Sequence, residues 1–372
     1  MRITRVEPIV LRLPSVDVTR ADGTQDALLV RIHTDEGLVG IGEADSSPYL
    51  VRTAIEMPSS HLIARGIAEL LVGEDPLQID RLGQLMYNGT SYYGRGGVAS
   101  HAISAIDIAL WDLTGKALGV PVSELLGGRR VDRIPVYASA VMPDTPPEAR
   151  ALAERAVADG YDAFKLGWGP LGQDLGQDLE LINAARTGLG PERRLMIDAG
   201  QVYTVKSAAD LLGRVADADL FWFEEPFSPH DFDSYRRLSA STSVRIAAGE
   251  AESGRAAFER LIRLARLDVL QPDLARCGGF TVARQLRDLC RDGGPIIVPH
   301  CFSSGVLVAA SLHFAAALDR PVLSEYSIAD SPLVNELLEE PFALRDACLA
   351  VPSQPGLGVA LNEDVVARLR LP

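Results

Sequence analysis

The chain lacks the features that would place it in a membrane or on nucleic acid. No apolar run reaches the roughly 18 residues that a membrane-spanning helix needs, and the N-terminal segment has no signal-peptide pattern. Acidic residues outnumber basic ones, 50 against 36, for a net charge of −14. Because phosphate binding needs a basic surface, we expect a cytoplasmic protein with neither a nucleic-acid nor a membrane partner.

Cysteine and lysine are both scarce. The four cysteines show no Cys-x-x-Cys spacing, so we expect reduced, structural thiols rather than a zinc or redox motif. Only three of the 36 basic residues are lysines, namely Lys116, Lys165 and Lys206. Lys165 lies inside the strand-like run DAFKLGW, and arginine cannot replace lysine where a compact amine is required.

The hydrophobic pattern changes near residue 126 and divides the chain into two parts. Residues 1–125 open with strand-like runs and continue with helical patterns, which predicts an α+β domain. Residues 126–349 alternate eight strand-like runs with amphipathic stretches. This alternation is typical of a parallel α/β barrel, although an open parallel sheet also fits. The Pro- and Gly-rich tail, residues 350–372, is expected to return to the first domain.

Three acidic residues close successive strand-like runs at equal intervals of 26 residues: Asp198, Glu224 and Glu250. In a barrel these carboxylates converge at the carboxyl ends of the strands, where barrel enzymes carry their chemistry. Three crowded carboxylates repel one another unless a cation neutralises them. Oxygen ligands without histidine or cysteine favour Mg²⁺, with Mn²⁺ next. The sequence therefore predicts a magnesium site.

Further chemistry-bearing residues close other strand-like runs. Asp273 ends the sixth run and His300 the seventh, so the carboxylate can orient the imidazole and raise its basicity. We predict that His300 is a general acid/base. Lys165 ends the second run and Glu325 the eighth. The lysine either balances a substrate carboxylate or acts as a base after burial lowers its pKa. With a divalent cation, this set predicts removal of the proton α to a carboxylate.

The chain resembles the enolase superfamily, and within it the mandelate racemase/muconate lactonizing enzyme subgroup, over essentially its whole length. Asp198, Glu224 and Glu250 match the subgroup's metal ligands in residue type, strand and spacing, while Asp273 and His300 match its Asp–His dyad. The resemblance implies a modified (β/α)₇β TIM barrel with an α+β N-terminal capping domain. It also implies a homo-oligomer, either a dimer or an octamer.

Two departures from the subgroup's pattern bear on the reaction. The family's second strand typically ends Lys-x-Lys, where the second lysine is a base opposite the histidine, but here Lys165 is followed by Leu and Gly167. The third strand often reads Asp-x-Asn, whereas Asp198 is followed by Ala-Gly. With His300 as the single base, two-base racemisation is disfavoured. The resemblance therefore implies a hydro-lyase that dehydrates an aldonic or aldaric acid to a 2-keto-3-deoxy acid.

The resemblance also implies residues that bind substrate. Lys165 and Glu325 are expected to contact the substrate carboxylate. Arg20, Tyr93 and Arg95, in loops of the capping domain, are candidates for selecting the substrate, although ordinary surface contacts account for them equally well. Two alternatives stay open: a one-base cycloisomerase or epimerase acting on a carboxylate or lactone, and a barrel that binds metal and acid without turnover.

Overall fold

The protein is described by a computed structural model covering residues 1–291 and 293–372. The N-terminal domain combines a three-stranded antiparallel sheet, in the order β1–β2–β3, with a group of helices. Its elements are β1 (Ile3–Arg12), β2 (Asp26–Thr34), β3 (Val39–Ala44), α1 (Pro48–Glu56), α2 (Ile67–Leu71), α3 (Ile79–Thr90), α4 (Val98–Leu118) and α5 (Val122–Leu125).

Helix α4 lies directly across strand β3, because that strand has glycine where the helix passes. A Cβ atom added to Gly42 would overlap the carbonyl oxygen of Ala105, and one added to Gly40 would overlap that of Ala109. The close approach buries a continuous apolar cluster between the sheet and the helix. It also fixes the end of β3, which points towards the second domain.

The second domain is built from eight parallel strands. These are β4 (Arg133–Val141), β5 (Ala163–Gly167), β6 (Arg194–Asp198), β7 (Leu220–Glu224), β8 (Arg245–Ala248), β9 (Val269–Leu270), β10 (Ile296–Ile297) and β11 (Ser324–Ser327). Neighbouring strands pair in chain order from β4 to β10, and β11 pairs with β4. The eighth strand therefore lies beside the first, which is the order of a barrel and not of an open sheet.

A helix follows each of the first seven barrel strands, which confirms the (β/α)₇β arrangement. These helices are α6 (Pro146–Ala158), α7 (Leu175–Leu189), α8 (Val205–Arg214), α9 (Phe232–Ser239), α10 (Arg255–Ala265), α11 (Gly279–Leu289) and α12 (Gly305–Ala316). A short 3₁₀ helix, Ala216–Ala218, precedes β7. Among the described residues, no helix combines the length and apolar character needed to cross a membrane.

Alternation along the strands builds the barrel interior in layers. One inward layer is apolar and consists of Tyr137, Ala163, Met196, Trp222, Ala247, Val269, Val298 and Leu323. Two residues further along seven of these strands, the same face carries Ser139, Lys165, Asp198, Glu224, Gln271, His300 and Glu325. The layer at the carboxyl ends of the strands is therefore polar. It packs directly on the apolar layer, which fills the barrel interior below it.

The end of the chain returns to the N-terminal domain. After α13 (Pro332–Asn335), strand β12 (Cys348–Ala350) pairs antiparallel with β4, and α14 (Glu363–Leu369) follows. The backbone amide of Leu371 then donates to the carbonyl of Val10, a residue of β1, at 2.9 Å. The last residues thus tie the two parts of the molecule together.

Candidate active site

The three predicted metal ligands form one buried cluster. One carboxylate oxygen from each of Asp198, Glu224 and Glu250 lies within 4.8 Å of the other two. Asp198 and Glu224 are register partners at the ends of β6 and β7, so their side chains share the inward face. Trp222, in the apolar layer below, donates its indole N–H to Glu224 Oε2 at 2.8 Å and holds that carboxylate in place.

Glu250 reaches the cluster by a different route. It lies two residues beyond the end of β8, where simple alternation would turn it away from the interior. Gly249, between them, has φ of +139°, a conformation that side-chain-bearing residues rarely adopt. This backbone turn returns Glu250 to the mouth of the barrel, where it is 7% exposed.

The residues present fit a hard divalent cation. Glu250 Oε2 is buried and accepts no hydrogen bond of good geometry, although His300 Nε2 lies 3.2 Å away, so a metal ion would complete its surroundings. Burial, followed by the charge of Glu224, raises the pKa of Asp198 well above its usual value, so the ionised cluster requires a positive charge. Because the donors are carboxylate oxygens, the cluster can hold a metal ion of the Mg²⁺ type.

His300 and Asp273 form a buried pair beside this cluster. Neither residue continues a regular strand, because β9 ends at Leu270 and β10 at Ile297, but the two pair through an isolated parallel bridge. Asp273 Oδ2 lies 2.6 Å from His300 Nδ1, and Asp273 Oδ1 accepts from the amide of Ala275 at 2.6 Å. Asp273 thus orients the imidazole and leaves Nε2 facing the carboxylates, 3.2 Å from Glu250 Oε2.

The surroundings of His300 favour its protonated form. Burial lowers the pKa of the imidazole, but Glu250, Glu325 and the hydrogen bond to Asp273 together outweigh this effect and raise the pKa to about 10. Because Glu250 is also a candidate metal ligand, a bound cation would offset its charge and lower the pKa of the imidazole, which would free Nε2 to accept a proton. A histidine in these surroundings can then both accept and return a proton.

Lys165 lies among the acids of the polar layer. Its Nζ donates to Glu224 Oε1 at 2.5 Å and lies 3.0 Å from Glu325 Oε1 and 3.8 Å from Asp198 Oδ2. Burial alone would lower the pKa of this amine, but the charges of Glu224 and Glu325 outweigh burial and raise it well above its usual value. The structure therefore favours a permanent ammonium that balances negative charge over a lysine base.

Glu325 is held as an ionised acceptor. Its Oε2 accepts from the amide of Cys301 at 2.8 Å. Burial raises the pKa of this carboxyl, but Lys165 and His300 outweigh burial and lower the pKa to about 2. The expected contact between Glu325 and a substrate carboxylate stays a prediction.

A cavity of about 480 Å³ at the barrel mouth is lined by five of these residues, namely Lys165, Asp198, Glu250, His300 and Glu325. Gly167 and Trp168 form the wall on the β5 side. A Cβ on Gly167 would overlap the Cβ of its register partner Asp198, so the position of the family's second lysine has no room for a side chain. Trp168 adopts φ of +60° and remains 37% exposed, with its ring against Gly200. A larger groove of about 810 Å³ lies near Arg133, at the opposite end of β4.

The three loop residues predicted to bind substrate occupy different positions. Arg20 lines the cavity and lies 3.5 Å from Asp144, so it stands at the entrance. The Tyr93 hydroxyl donates to the carbonyl of Arg65 at 2.6 Å, within the N-terminal domain. Neither Tyr93 nor Arg95 is among the described residues that line the cavity. Their role in substrate selection stays a prediction.

The sequence reasoning missed four residues at the site. Trp168 directly follows the second strand, and Arg276 follows Asp273 by three residues. Both could have been predicted, because an aromatic or charged residue just past a barrel strand often lies at the mouth. Glu43 and Asp45 come from the N-terminal domain, and their reach into the barrel could not be read from the pattern of either domain alone.

A parallel barrel with three convergent carboxylates and an adjacent His–Asp pair at its mouth defines a class of barrel proteins whose site could hold a cation and transfer a proton. Comparison with known families agrees with this class. Residues 1–127 match the mandelate racemase/muconate lactonizing enzyme N-terminal domain, and residues 148–365 match the enolase C-terminal domain-like family. The chain belongs to the mandelate racemase/muconate lactonizing enzyme group of the enolase superfamily.

Relatives with named activities cover nearly the whole chain. D-galactarolactone cycloisomerase of Agrobacterium fabrum is 34% identical over 93% of this chain and 91% of its own length. D-galactonate dehydratase of Ralstonia nicotianae is 33% identical over 91% of this chain and 90% of its own.

Solved structures resemble the whole fold. The 3,6-anhydro-D-galactonate cycloisomerase of Zobellia galactanivorans superposes with a TM-score of 0.91, at 32% identity, over 100% of both chains. A racemase of Streptomyces coelicolor, whose structure contains bound magnesium, superposes with a TM-score of 0.87 at 29% identity over 99% of this chain and 100% of its own.

Proposed function

We propose that this protein is a Mg²⁺-dependent acid-sugar dehydratase that converts an aldonic or aldaric acid into a 2-keto-3-deoxy acid. The observation that carries the proposal is the asymmetry of the site. An oriented histidine, His300, faces the carboxylate cluster from one side, and Gly167, with no room for a side chain, lies on the side of β5. A site with one proton-transfer group is suited to elimination and not to two-base racemisation.

The residues that would hold the cation are Asp198, Glu224 and Glu250. When bound, a divalent cation supplies positive charge against the negative charge that develops on the substrate carboxylate. Lys165 adds a second, permanent positive charge in the same layer. Contacts with Glu325 Oε1 at 3.0 Å and Glu224 Oε1 at 2.5 Å hold the ammonium between these two carboxylates. These groups stabilise charge that appears only as the reaction proceeds.

His300 performs the proton transfers. Its Nε2 accepts the proton from the carbon α to the substrate carboxylate, and the electron pair of that C–H bond forms the new carbon–carbon double bond as the β C–O bond breaks. The imidazolium returns the proton to the departing hydroxyl, so that water leaves from the same face. The resulting enol tautomerises to the 2-keto acid. Asp273 stays hydrogen-bonded to Nδ1 throughout, and this contact keeps Nε2 oriented towards the substrate.

A second candidate function is cycloisomerisation of a sugar lactone. The observation that favours it is the 34% identity with D-galactarolactone cycloisomerase. The proton removal by His300 is the same in both reactions. The difference is the leaving group, which in a lactone is the ring oxygen, so the ring opens and no water is released. Trp168, half exposed in the cavity wall, offers an apolar face against which a ring could pack.

The test is a screen of aldonic acids, aldaric acids and their lactones with Mg²⁺, with semicarbazide detection of 2-keto products and mass spectrometry to separate dehydration from isomerisation. We expect a 2-keto product of lower mass from at least one linear acid, and no product in EDTA. A product of unchanged mass, formed only from lactones, would identify the cycloisomerase instead. Metal binding with neither product nor α-proton exchange in D₂O for any acid would indicate a barrel that binds without turnover.

Replacing the base tests the assignment of His300. Because general acid–base catalysis contributes about 10²- to 10⁴-fold, His300→Asn is expected to lower kcat by at least about 100-fold while Mg²⁺ binding persists. His230, which is exposed, provides the matched control His230→Asn with unchanged kcat. Turnover by His300→Asn at the wild-type rate would remove His300 from the mechanism.

A further inference from the structure

Two acidic residues of the N-terminal domain, Glu43 and Asp45 at the end of strand β3, contact the barrel segments that carry His300 and Asp273. Glu43 is completely buried and accepts hydrogen bonds from Ser303 Oγ at 2.6 Å, Ser304 Oγ at 2.6 Å and the amide of Leu307 at 2.8 Å. These donors lie between His300 and the first turn of α12. Glu43 therefore holds the segment that carries the histidine.

Asp45, two residues further along, holds the segment that carries Asp273. Its Oδ2 accepts from Arg276 Nη2 at 2.7 Å, and its backbone carbonyl accepts from Arg276 Nε at 3.1 Å. The same guanidinium donates to Glu250 Oε1 at 3.2 Å and lies 4.0 Å from Asp273 Oδ2. One arginine thus connects the N-terminal domain with an orienting carboxylate and with a carboxylate of the metal cluster.

These contacts are poorly explained by stability alone. Buried charges lose hydration, and a buried ion pair often contributes no more to folding than well-packed apolar residues would. The N-terminal domain also contacts the rest of the chain through groups that do not touch the segments carrying Asp273 and His300. Asp112 on α4 accepts from the amide of Leu357 at 2.7 Å, and the amide of Ser123 donates to His313 Nδ1, near the end of α12, at 3.2 Å. Docking therefore does not require acids at the catalytic segments.

We propose that Glu43 and Asp45 are positioning residues that set the geometry of the Asp273–His300 pair from the neighbouring domain, Asp45 acting through Arg276. The two segments they hold meet in the 2.6 Å contact between Asp273 Oδ2 and His300 Nδ1. Because a misplacement of about 1 Å can lower a rate by about 100-fold, small shifts of either segment are sufficient to impair catalysis. The inference rests on the proposed role of His300 as the base.

The test is an NMR measurement of the hydrogen bond between Asp273 and His300, and it requires no known substrate. In ¹⁵N-histidine-labelled protein, the Nδ1 proton of His300 is assigned by its absence in His300→Asn. Glu43→Gln and Asp45→Asn are expected to shift or lose this resonance. The matched control, Asp112→Asn, removes a buried acid of the same domain whose partners are Ile41, Lys116 and Leu357, and it is expected to leave the resonance in place even where it lowers stability to a similar extent.

Kinetics supply the second readout once the screen has identified a substrate. Glu43→Gln and Asp45→Asn are expected to lower kcat by about 100-fold with little change in KM, and Asp112→Asn is expected to leave kcat near wild type. Arg276→Lys, which keeps the charge, is expected to retain more activity than Arg276→Met. If Glu43→Gln does not fold, Ser303→Ala is used in its place, because it removes one hydrogen bond to Glu43. The same resonance and the same kinetic constants are measured.

Two results would overturn the proposal. One is a His300 resonance that is unchanged in Glu43→Gln and Asp45→Asn, as it is in Asp112→Asn. The other is a loss of activity that follows the loss of stability equally in all three variants. Failure of the substrate screen would count against the proposed function, and the resonance would still decide whether these acids position the pair.

Discussion

At the scale of single residues, Gly167 lies directly against Asp198, a candidate metal ligand. A Cβ added at Gly167 would overlap the Cβ of Asp198, so any side chain at this position requires the aspartate to shift. The same contact links the β5 wall to the metal cluster. A larger residue in place of this glycine would therefore displace Asp198, a candidate metal ligand.

Gly167→Ala is expected to weaken Mg²⁺ binding by about 10- to 100-fold, as changes beside metal ligands commonly do, because the added methyl group displaces Asp198. Gly167→Lys is expected to give the same loss without restoring racemisation. Titration calorimetry with Mg²⁺ measures both. Gly213→Ala, in α8 with open space around its Cβ position, is the control. Wild-type affinity in Gly167→Ala would show that Asp198 is not constrained by this contact.

At the scale of elements, two barrel helices begin against carboxylates of the N-terminal domain. Asp107 accepts from the amide of Thr281 at the start of α11, and Glu43 accepts from that of Leu307 at the start of α12. Burial raises the pKa of each carboxyl to about 7, although hydrogen bonds from Thr281 and from Ser303 and Ser304 oppose the shift. Both groups hold a proton more tightly in the folded protein than in the unfolded chain.

The resulting stability is fully present below the unfolded pKa values, 3.8 for Asp107 and 4.5 for Glu43, and is lost as pH rises through about 7. We expect the free energy of unfolding to fall between about pH 5 and pH 7 by roughly 1.4 kcal/mol per pH unit for each group. Urea unfolding across this range measures the slope. Asp107→Asn and Glu43→Gln should each flatten it, and a slope unchanged in both variants would place the pH dependence elsewhere.

At the scale of the whole molecule, we expect the carboxylate cluster to make stability depend on a divalent cation. Three buried acids at one barrel mouth repel one another, and Lys165 offsets only part of that charge. A cation that binds only the folded protein stabilises it by mass action. Metal binding at this cluster would therefore stabilise the whole barrel.

Mg²⁺ at 100 times its dissociation constant is expected to raise the free energy of unfolding by about 2.7 kcal/mol relative to EDTA. Asp198→Asn should abolish this gain and, because it removes a repelling charge, should be more stable than wild type in EDTA. Denaturant unfolding with and without Mg²⁺ measures both effects. Equal stabilisation of Asp198→Asn by Mg²⁺ would locate the binding elsewhere.

Much of the architecture and of the site could be read from local pattern. Strand-like runs that alternate with amphipathic stretches predicted the barrel, and a polar residue at the end of an apolar run indicated the polar layer, as with Lys165, Asp198 and Glu224. Glu250 was found by spacing, although its placement depends on the unusual backbone of Gly249. Asp45 and Glu43 could not be found in this way, because their partners lie more than 200 residues away in the chain.

The sequence by itself determined the order of strands and helices and the kinds of side chain available at the barrel mouth, because alternation and residue chemistry are local properties. Only the tertiary structure decided which of these groups meet. It brought His300 within 2.6 Å of Asp273, surrounded Lys165 with acids that keep it charged, and closed the space beside Gly167. Such distances arise from the packing of distant segments, and pKa values and proton transfer depend on them.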